Sequence, residues 1–397
     1  MREDSCTEIR IGDLGEVFTG RTPSTEYPAY FGNDFPFITP GDMRQGKYAR
    51  ATDRSVSHEG AELLKRIRLP ANSVCVSCIG WQMGETIMTD RPSFTNQQIN
   101  TIVPNSKVEP SFLYYSLRPR KQELLALGAT TGVRTPILNK SAFSDLKVKI
   151  PPLPVQRRIA GILSAYDELM ENSQRRIRLL EAMARALYRE CIREAGESAS
   201  AKGILETDCW TFISANVSPY SGTKRYYATA DIEGLAIHGA GIDYTFAEKP
   251  SRAQKQPTPF SVWFARMKDT YKIAWYSDVN SQSAYSSVLS SGFAGFQPVE
   301  PLYFPLLFLT VSSKDFHAQK DLFCTGATQM SLTNEGLSRI EVPAPSKQAA
   351  RQLGEQALPL LNQMLVLQLR IQNLRRTRDL LLPRLLSGRV HQIKTEP

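Results

Sequence analysis

Residues 155–194, VQRRIAGILSAYDELMENSQRRIRLLEAMARALYRECIRE, carry mostly apolar side chains at intervals that alternate between four and three residues. This spacing puts one side chain per turn on the same face of a helix and is typical of a coiled-coil seam. The stretch predicts a long helix from about Val155 to Glu194 that packs against a second helix. The seam positions are Ile159, Leu163, Tyr166, Met170, Ser173, Ile177, Leu180, Ala184, Leu187 and Cys191.

A second copy of this seam lies further along the chain. Adding 194 to each seam position gives a second set in which every residue except Arg378 is apolar. The same offset maps Leu138 onto Leu332 and Leu146 onto Ile340, so the repeat begins before the helix. The chain is therefore a duplication of a globular part and a long helix, the second helix running from about Lys347 to Leu386. The second seam consists of Leu353, Ala357, Leu360, Met364, Leu367, Ile371, Leu374, Arg378, Leu381 and Leu385.

Proline-rich stretches and a small-residue segment indicate the domain boundaries. Proline fixes φ and donates no backbone hydrogen bond, so PPLP at 151–154 and PAP at 343–345 should each end a strand and precede a helix. Pro359 predicts a kink or a later start in the second helix, and Pro383 predicts fraying at its end. The predicted segments are a first mixed domain (1–150), a first long helix serving as spacer (151–195), a linker (196–203), a second mixed domain (204–345), and a second long helix with a C-terminal tail (346–397).

The two globular parts share two pairs of strand-like stretches. FPFIT at 35–39 matches RYYAT at 225–229, and SVCVSC at 73–78 matches SVWFAR at 261–266. Between these stretches the two parts differ widely, as expected of one scaffold adapted to two targets. We predict an α+β fold with two mixed α/β domains, each followed by a long helix. The two helices should form an antiparallel coiled coil with pseudo-twofold internal symmetry.

Composition and charge narrow the class of protein. The chain has 48 basic and 39 acidic residues, a net charge of +9, which permits a nucleic-acid partner without identifying one. It contains no apolar run long enough to cross a bilayer, and its first residues, MREDS, lack the apolar core of a secretory signal. The six cysteines are scattered and should be reduced. We expect a cytoplasmic protein with no membrane partner.

Motifs for catalysis and metal binding are incomplete. GDMRQGKY at 41–48 resembles a phosphate-binding loop, but Tyr48 stands where a Ser or Thr would hold magnesium, so a turn with a solvated Lys47 is favoured. Cys75 and Cys78 have metal-ligand spacing but no second pair. The Asn/Asp-Pro-Pro-Tyr/Phe tetrapeptide of adenine methyltransferases does not occur, nor does a glycine-rich loop for a methyl donor. We expect no metal site and no catalytic residues.

Three stretches resemble one known family. IRIGDLGEVFTGRTPS at 9–24 resembles the opening of target-recognition domains in specificity (S) subunits of type I restriction-modification enzymes. IPPLPVQRRI at 150–159 is similar to that family's entry into its central helix, and RDLLLPRLLSG at 378–388 to its C-terminal close. The likeness extends over essentially the whole chain, but the second globular part has no clear copy of GRTP at 20–23.

The resemblance implies a non-catalytic, sequence-specific DNA-recognition subunit. In that family each target-recognition domain reads one part of a bipartite, asymmetric site on double-stranded DNA, and the paired helices hold the domains apart. A helix of about 40 residues is roughly 60 Å long. The implied partners are two methyltransferase (modification) subunits and the restriction subunits, which act as motor and nuclease. S-adenosylmethionine, ATP and Mg would belong to those partners, and this chain would hold no cofactor.

Candidate base-reading residues are polar or aromatic side chains in loops. Gln and Asn match the paired donor and acceptor of adenine, and Arg matches guanine. The first-domain candidates are Trp81, Gln82, Asn96, Gln97, Gln98, Thr130, Thr131 and Arg134. The second-domain candidates are Arg266, Lys268, Gln282, Ser283, Tyr285 and Gln329, with Lys224 and Arg225 assigned to phosphates.

Two other classes of function remain open at this point. One is a coiled-coil adaptor protein without sequence-specific DNA binding, and the other is an enzyme with an unrecognised site. Strong salt dependence of DNA binding would count against the adaptor. Methyl transfer by the purified chain alone would establish the enzyme. The seams also have an alternative interpretation, in which each packs onto its own globular part.

Overall fold

The chain folds into two compact units. A computed structural model of the protein describes residues 6–81, 83–129, 135–196, 201–327 and 329–387. Unit 1 comprises Met1–Glu171 and Asn373–Pro397, and unit 2 comprises Asn172–Gln372. Each unit therefore contains a globular part and a segment of both long helices. No helix in the described ranges combines the length and apolar character needed to span a membrane.

The globular part of unit 1 mixes short strands and short helices and leads into the first long helix. Its strands form a four-stranded antiparallel sheet, a three-stranded sheet and a two-stranded ribbon. The elements are β1 (Thr7–Arg10), α1 (Ile11–Leu14), β2 (Gly15–Thr19), β3 (Phe31–Ile38), β4 (Arg54–Val56), α2 (His58–Leu63), β5 (Val74–Ser77), β6 (Thr86–Met88), β7 (Phe94–Thr95), β8 (Ile99–Pro104), α3 (Pro110–Leu117), α4 (Lys121–Ala129), α5 (Lys140–Asp145), β9 (Lys147–Ile150) and α6 (Leu153–Ala195). The sheet orders are β2-β8-β5-β6, β4-β3-β7 and β1-β9.

Unit 2 repeats this plan with different lengths of strand and loop. Its elements are β10 (Ala201–Gly203), β11 (Trp210–Phe212), β12 (Lys224–Tyr227), β13 (Ile232–Glu233), β14 (Ala236–Ile237), β15 (Ile242–Tyr244), β16 (Ala253–Lys255), β17 (Val262–Ala265), β18 (Ile273–Trp275), α7 (Ser281–Tyr285), β19 (Ser287–Ser290), β20 (Phe293–Pro298), α8 (Phe304–Val311), α9 (Lys314–Leu322), β21 (Cys324–Thr325), β22 (Ser331–Leu332), α10 (Asn334–Ser338), β23 (Glu341–Pro343) and α11 (Lys347–Leu386). The sheet β11-β20-β17-β18 corresponds to β2-β8-β5-β6, and the ribbon β10-β23 corresponds to β1-β9. The parallel pair β12–β19 corresponds to the parallel pair β3–β7.

Matching backbone contacts confirm the predicted duplication. Asp42 Oδ2 accepts from the Thr39 N–H at 2.8 Å, and Asp231 Oδ2 accepts from the Ala228 N–H at 2.7 Å, so both aspartates close the same short turn after a strand. Both predicted strand pairs are found, as β3 with β12 and β5 with β17. The predicted fold class, two mixed domains each followed by a long helix, is confirmed.

The two long helices pack against each other within each unit and run antiparallel. In unit 1, Leu163 of α6 shares an apolar cluster with Leu382 and Leu385 of α11. In unit 2, the Cys191 thiol of α6 lies 3.7 Å from the Ala349 carbonyl at the start of α11. Low residue numbers on one helix therefore meet high numbers on the other. The apolar face at these contacts explains why both sequences form helices of 43 and 40 residues.

Not every seam residue is equally buried. The 194-residue offset predicted Leu360 and Leu381 as seam residues, but both are partly exposed. Their neighbours Leu361 and Leu382 are buried instead. An α-helix has 3.6 residues per turn rather than 3.5, so a straight seam drifts toward the neighbouring position. The buried seam residues are Ile159, Leu163, Met170, Ser173, Ala184, Leu353, Ala357, Met364, Leu367, Ile371, Arg378 and Leu385, and the partly exposed ones are Tyr166, Ile177, Leu180, Leu187, Cys191, Leu360, Leu374 and Leu381.

Three predictions about helix ends and the linker need correction. The second helix begins at Lys347, so the predicted later start is wrong, and it runs without interruption through Pro359, because one lost backbone hydrogen bond is outweighed by the packing of the buried Ala357 and Leu361 on either side. It also continues past Pro383, whose carbonyl accepts from the Ser387 N–H at 3.0 Å. The last part of the predicted linker, Ala201–Gly203, is strand β10 and pairs with β23.

The charged residue in the second seam has a partly buried acidic partner. Arg378 is 6 % exposed, and its Nη1 donates to Asp167 Oδ1 of α6 at 2.5 Å. The Tyr115 hydroxyl of α3 donates to the other oxygen, Asp167 Oδ2, at 2.6 Å. One partly buried carboxylate therefore joins both long helices and the globular part of unit 1. Because a displaced helix would leave Asp167 without this cation and Arg378 with only the exposed Asp379 of its own helix, the contact favours a single register of the two helices.

We predict that Asp167→Ala lowers the free energy of unfolding by about 1.5–3 kcal/mol, because the buried guanidinium loses its charged acceptor on the other helix and keeps only the exposed Asp379. The double variant Asp167→Leu/Arg378→Met should recover most of that loss, since no unpaired charge remains. Urea unfolding of the full chain measures both. Glu62→Ala, which removes an exposed pair with Lys65 at 3.1 Å, is the control and should leave the midpoint unchanged. Equal losses in Asp167→Ala and Glu62→Ala would contradict the prediction.

Candidate nucleic-acid interface

Three loops that are distant in sequence meet at one edge of unit 1. The Cys78 N–H, after β5, donates to the Gln98 carbonyl at 2.7 Å, and the Leu138 N–H donates to the Cys78 carbonyl at 2.8 Å. The Gly80 N–H donates to the Pro136 carbonyl at 2.9 Å. The β5–β6 hairpin thus lies between the β7–β8 turn and the segment before α5. We call residues 20–22, 78–81, 83–84, 95–98 and 135–138 loop cluster 1.

The β7–β8 turn separates a structural residue from a surface one. Asn96 is buried, its Nδ2 donates to Gln98 Oε1 at 2.9 Å, and its Oδ1 accepts from the Gln98 N–H at 3.2 Å. Asn96 and Gln98 therefore hold the turn. Gln97 between them is exposed, and its Oε1 accepts from the Thr22 hydroxyl at 2.7 Å. Of these three candidates, Gln97 is the one whose carboxamide is presented at the surface.

Gly20 brings an arginine to the same turn. A Cβ on Gly20 would lie 2.2 Å from the Asn96 carbonyl oxygen and 2.3 Å from that of Thr95, so only glycine fits. The next residue, Arg21, donates its N–H to the Thr95 carbonyl at 3.0 Å and is exposed. Arg21 was absent from the sequence-based candidates, although it belongs to the GRTP motif that carried the resemblance. A glycine next to a basic residue in that motif was the available signal.

The remaining first-domain candidates lie at the hairpin tip or outside the described residues. Trp81 follows Gly80 and is 70 % exposed. Gln82, Thr130, Thr131 and Arg134 lie outside the described residues.

Unit 2 builds an equivalent edge from the same backbone contacts. The Arg266 N–H, after β17, donates to the Gly292 carbonyl at 2.9 Å, and the Leu332 N–H donates to the Arg266 carbonyl at 2.9 Å. The Lys268 N–H donates to the Met330 carbonyl at 3.1 Å. Arg266 therefore corresponds to Cys78 and Lys268 to Gly80. We call residues 266–272, 291–292 and 329–332 loop cluster 2.

Arg266 and Lys268 have different roles in loop cluster 2. Arg266 donates from Nη1 to the Leu332 carbonyl at 2.9 Å and from Nη2 to Asn334 Oδ1 at 2.8 Å, and burial lowers its pKa. Its side chain thus holds the cluster together. Among the described residues, the Lys268 ammonium has only the Met330 sulfur as a hydrogen-bond partner, at 3.8 Å. Among the same residues, the Gln329 carboxamide has only the Met267 sulfur, at 3.6 Å. These two polar groups therefore have no oxygen or nitrogen hydrogen-bond partner among the described residues.

The other second-domain candidates lie at the starts of β12 and β19. These are the ends of the two strands that are remote from loop cluster 2. The Arg225 N–H donates to the Ser286 carbonyl at 2.8 Å, next to α7, which carries Gln282, Ser283 and Tyr285, all exposed. The Lys224 ammonium donates to Gln256 Oε1 at 2.6 Å, and Arg225 pairs with Asp243 at 2.7 Å. Strand β19 begins here and ends beside loop cluster 2. At about 3.3 Å per residue, the two ends of this four-residue strand are roughly 13 Å apart. The structure thus divides these candidates into two surfaces.

The motifs for metal or phosphate binding have structural roles. Burial raises the pKa of both Cys75 and Cys78 to about 12, so both remain thiols, and the described residues contain no group of metal-ligating side chains. Lys47 is not solvated as predicted. Its ammonium donates to the hydroxyls of Ser111 at 2.9 Å and Ser164 at 2.8 Å, and burial lowers its pKa.

A family model for the type I restriction modification DNA specificity domain matches residues 3–182. This part of the chain, somewhat less than half of its length, is therefore similar to the type I restriction-modification specificity domain. The match contains the whole of loop cluster 1 and the first long helix up to residue 182. Loop cluster 2 lies beyond it and is related to the specificity family through the internal duplication.

Curated specificity subunits resemble part of the chain. The HindI specificity subunit of Haemophilus influenzae is 35% identical over 176 residues, which is 43% of this chain and 38% of that subunit. The MjaIX specificity subunit of Methanocaldococcus jannaschii is 28% identical over 182 residues, 45% of this chain and 42% of that subunit. The chain thus spans about two fifths of the length of these curated relatives.

A solved specificity subunit shares the fold over nearly the whole chain. The crystal structure of the type I restriction-modification S subunit from M. genitalium aligns with a TM-score of 0.61 at 16% identity and covers 97% of both chains. The likeness therefore includes the second half, which the family model does not match.

We predict that Gly20→Ala displaces the β7–β8 turn of unit 1. The added methyl would overlap the Asn96 and Thr95 carbonyls, so the variant should lose about 1–3 kcal/mol of unfolding free energy and should bind DNA more weakly. Urea unfolding and gel-shift titration measure the two effects. Gly41→Ala is the matched control, because its nearest contact would be the Thr39 hydroxyl at 3.6 Å. Equal behaviour of the two variants would contradict the close approach at Gly20.

Proposed function

We propose that this chain is the sequence-specific DNA-recognition subunit of a type I restriction-modification complex. In this proposal unit 1 reads one part of a bipartite, asymmetric site through loop cluster 1, and unit 2 reads the other part through loop cluster 2. The observation that carries it is the pair of edges built from the same three backbone hydrogen bonds but lined by different side chains. A shared scaffold with different surface groups suits recognition of two different sequences.

The chemistry of the surface side chains supports reading of base edges. Gln97 presents a carboxamide, which can donate to and accept from one adenine, and the neighbouring Arg21 can bind guanine or a phosphate. In unit 2, Lys268 and Gln329 offer a cation and a carboxamide. Each well-placed base contact discriminates by about 1–3 kcal/mol, so one small surface alone gives modest specificity. Two linked surfaces make the second contact intramolecular and lengthen the site.

The second surface of unit 2 fits a positioning role on the DNA backbone. Lys224, Arg225, Gln282, Ser283 and Tyr285 carry cationic, amide and hydroxyl groups, which are the usual donors to phosphate oxygens. Phosphate contacts fix orientation without reading sequence. We therefore assign base reading in unit 2 to loop cluster 2 and backbone contacts to the surface at α7.

The proposal extends to the partners and to the division of chemistry. Two methyltransferase subunits would be positioned by this chain and would modify an adenine in each part of the site, using S-adenosylmethionine. Restriction subunits would use ATP and Mg to translocate and cut unmodified DNA. The chain itself would be non-catalytic, would hold no cofactor and would act in the cytoplasm.

We predict that Gln97→Ala and Lys268→Ala relax the recognised sequence at different places. The full chain would be used to select bound duplexes from a random-sequence library, followed by sequencing. Wild type should enrich one split motif, Gln97→Ala should lose preference within one part only, and Lys268→Ala within the other. Each loss should be about 1–3 kcal/mol at the affected base pair.

Lys65→Ala provides the control, because that exposed lysine lies outside both loop clusters and should not alter the motif. Loss of preference in the same part by both variants would contradict the assignment of one surface to each part. No enrichment by wild type, together with binding that does not weaken as salt rises, would instead favour the coiled-coil adaptor.

A further inference from the structure

Trp81 is exposed in a way that no other tryptophan of the chain is. All four tryptophans lie within the described residues, and Trp210, Trp263 and Trp275 are at most 3 % exposed, whereas Trp81 is 70 % exposed. Tryptophan is the largest side chain and is usually mostly buried. Leaving its indole in water forgoes the stabilisation that burial would provide. An exposed tryptophan in the candidate interface therefore needs a reason other than folding.

The backbone beneath Trp81 is fixed. Gly80 has φ +92°, a conformation that favours glycine, and its N–H donates to the Pro136 carbonyl at 2.9 Å. On the other side, the Met83 N–H donates to the Gly80 carbonyl at 3.0 Å, and the Met83 side chain is fully buried. Hydrogen bonds at Gly80 and Met83 thus support the exposed indole from both sides. Such a support lowers the conformational entropy lost when the indole enters a binding partner.

The fold does not require an aromatic residue at this position. The matching hydrogen bonds of the two hairpins make Arg266 equivalent to Cys78 and Lys268 equivalent to Gly80, so Asp269 is equivalent to Trp81. Asp269 has φ +56°, and its N–H donates to Asp321 Oδ1 at 3.0 Å. The same hairpin therefore forms with a small acidic residue at its tip.

The groups around Trp81 favour a nucleic-acid occupant over an apolar protein surface. Loop cluster 1 places the exposed Gln97 and Arg21 on the same edge as the indole. A carboxamide and a guanidinium suit base edges and phosphates, while a flat aromatic ring suits the face of a base. The net charge of +9 is complementary to a polyanion.

We propose that Trp81 inserts its indole between neighbouring base pairs in the part of the site that unit 1 reads. Inserted side chains unstack a base step, and the cost depends on the sequence of that step. Unit 1 would then select partly for an easily opened step, whereas unit 2, with Asp269 at the equivalent tip, would not. This inference rests on the proposed DNA-recognition function.

Quenching of tryptophan emission by bound DNA reports on Trp81, because the other three tryptophans are buried and cannot contact DNA. The probe is a duplex selected by the full chain from a random-sequence library, carrying 2-aminopurine at successive positions of the motif. Wild type should show quenched tryptophan emission on binding and a rise in 2-aminopurine emission at one step. Trp81→Ala should abolish both signals and weaken binding roughly ten- to hundredfold, as loss of one stacking contact does.

Two comparisons separate insertion from a general loss of structure. Trp81→Phe should retain the 2-aminopurine signal and bind within about fivefold of wild type, since phenylalanine also serves as an inserted side chain. The advantage of wild type over Trp81→Ala should grow on a duplex with a mismatch at the affected step, because the mismatch removes the unstacking cost that insertion of the indole carries. Leu63→Ala, which removes an exposed apolar side chain of α2, should behave as wild type.

The outcomes distinguish this inference from the function on which it rests. If wild type selects a motif but Trp81→Ala binds it equally well with the same 2-aminopurine signal, insertion is wrong and recognition stands. If Trp81→Ala binds weakly but 2-aminopurine emission does not change when wild type binds, Trp81 contacts DNA without insertion. That result overturns the proposal. If wild type selects no motif, the recognition function fails and the inference fails with it.

Discussion

The packing of the two long helices against each other is the interaction on which both units depend. In unit 1, Leu382 and Leu385 of α11 join the same apolar cluster as Phe112 and Phe143 of the globular part. In unit 2, Ala184 of α6 is buried in the cluster that contains the strands and helices of the second globular part. Each globular core is therefore completed by a helical segment that arrives from the other half of the sequence. The Asp167–Arg378 contact then makes one register of this packing preferable to its neighbours.

On this support the chain repeats one arrangement of loops and changes what the loops carry. The hairpin between β5 and β6 and its counterpart between β17 and β18 use the same three backbone hydrogen bonds. Backbone contacts of this kind do not depend on side-chain identity, so the tips are free to differ. One tip presents Trp81 and the other presents Lys268 and Asp269. This separation of a fixed scaffold from variable tips is the physical basis of the proposed recognition of two different sequences.

The sequence predicted the duplication, both long helices and two strand pairs, because hydrophobic periodicity and a constant offset are visible without contacts. It failed where a contact decides the outcome. Pro359 breaks a helix in isolation, but the buried neighbours keep this one continuous. Asn96 and Arg266 stay predicted DNA-binding residues, but the sequence did not reveal that their side chains also hold their own loops. The position of α7 beside the start of β12 could not be predicted, because the sequence does not reveal that β12 and β19 pair in parallel.

The most direct test of the central claim is to map methylated adenine in the DNA of a host that expresses this chain together with a type I methyltransferase subunit. The account predicts one split motif, with two fixed parts separated by a constant number of unspecified base pairs, methylated only when the chain is present. Methylation of the same sequences without the chain would contradict the account. A single uninterrupted motif would contradict the reading of two parts by two units.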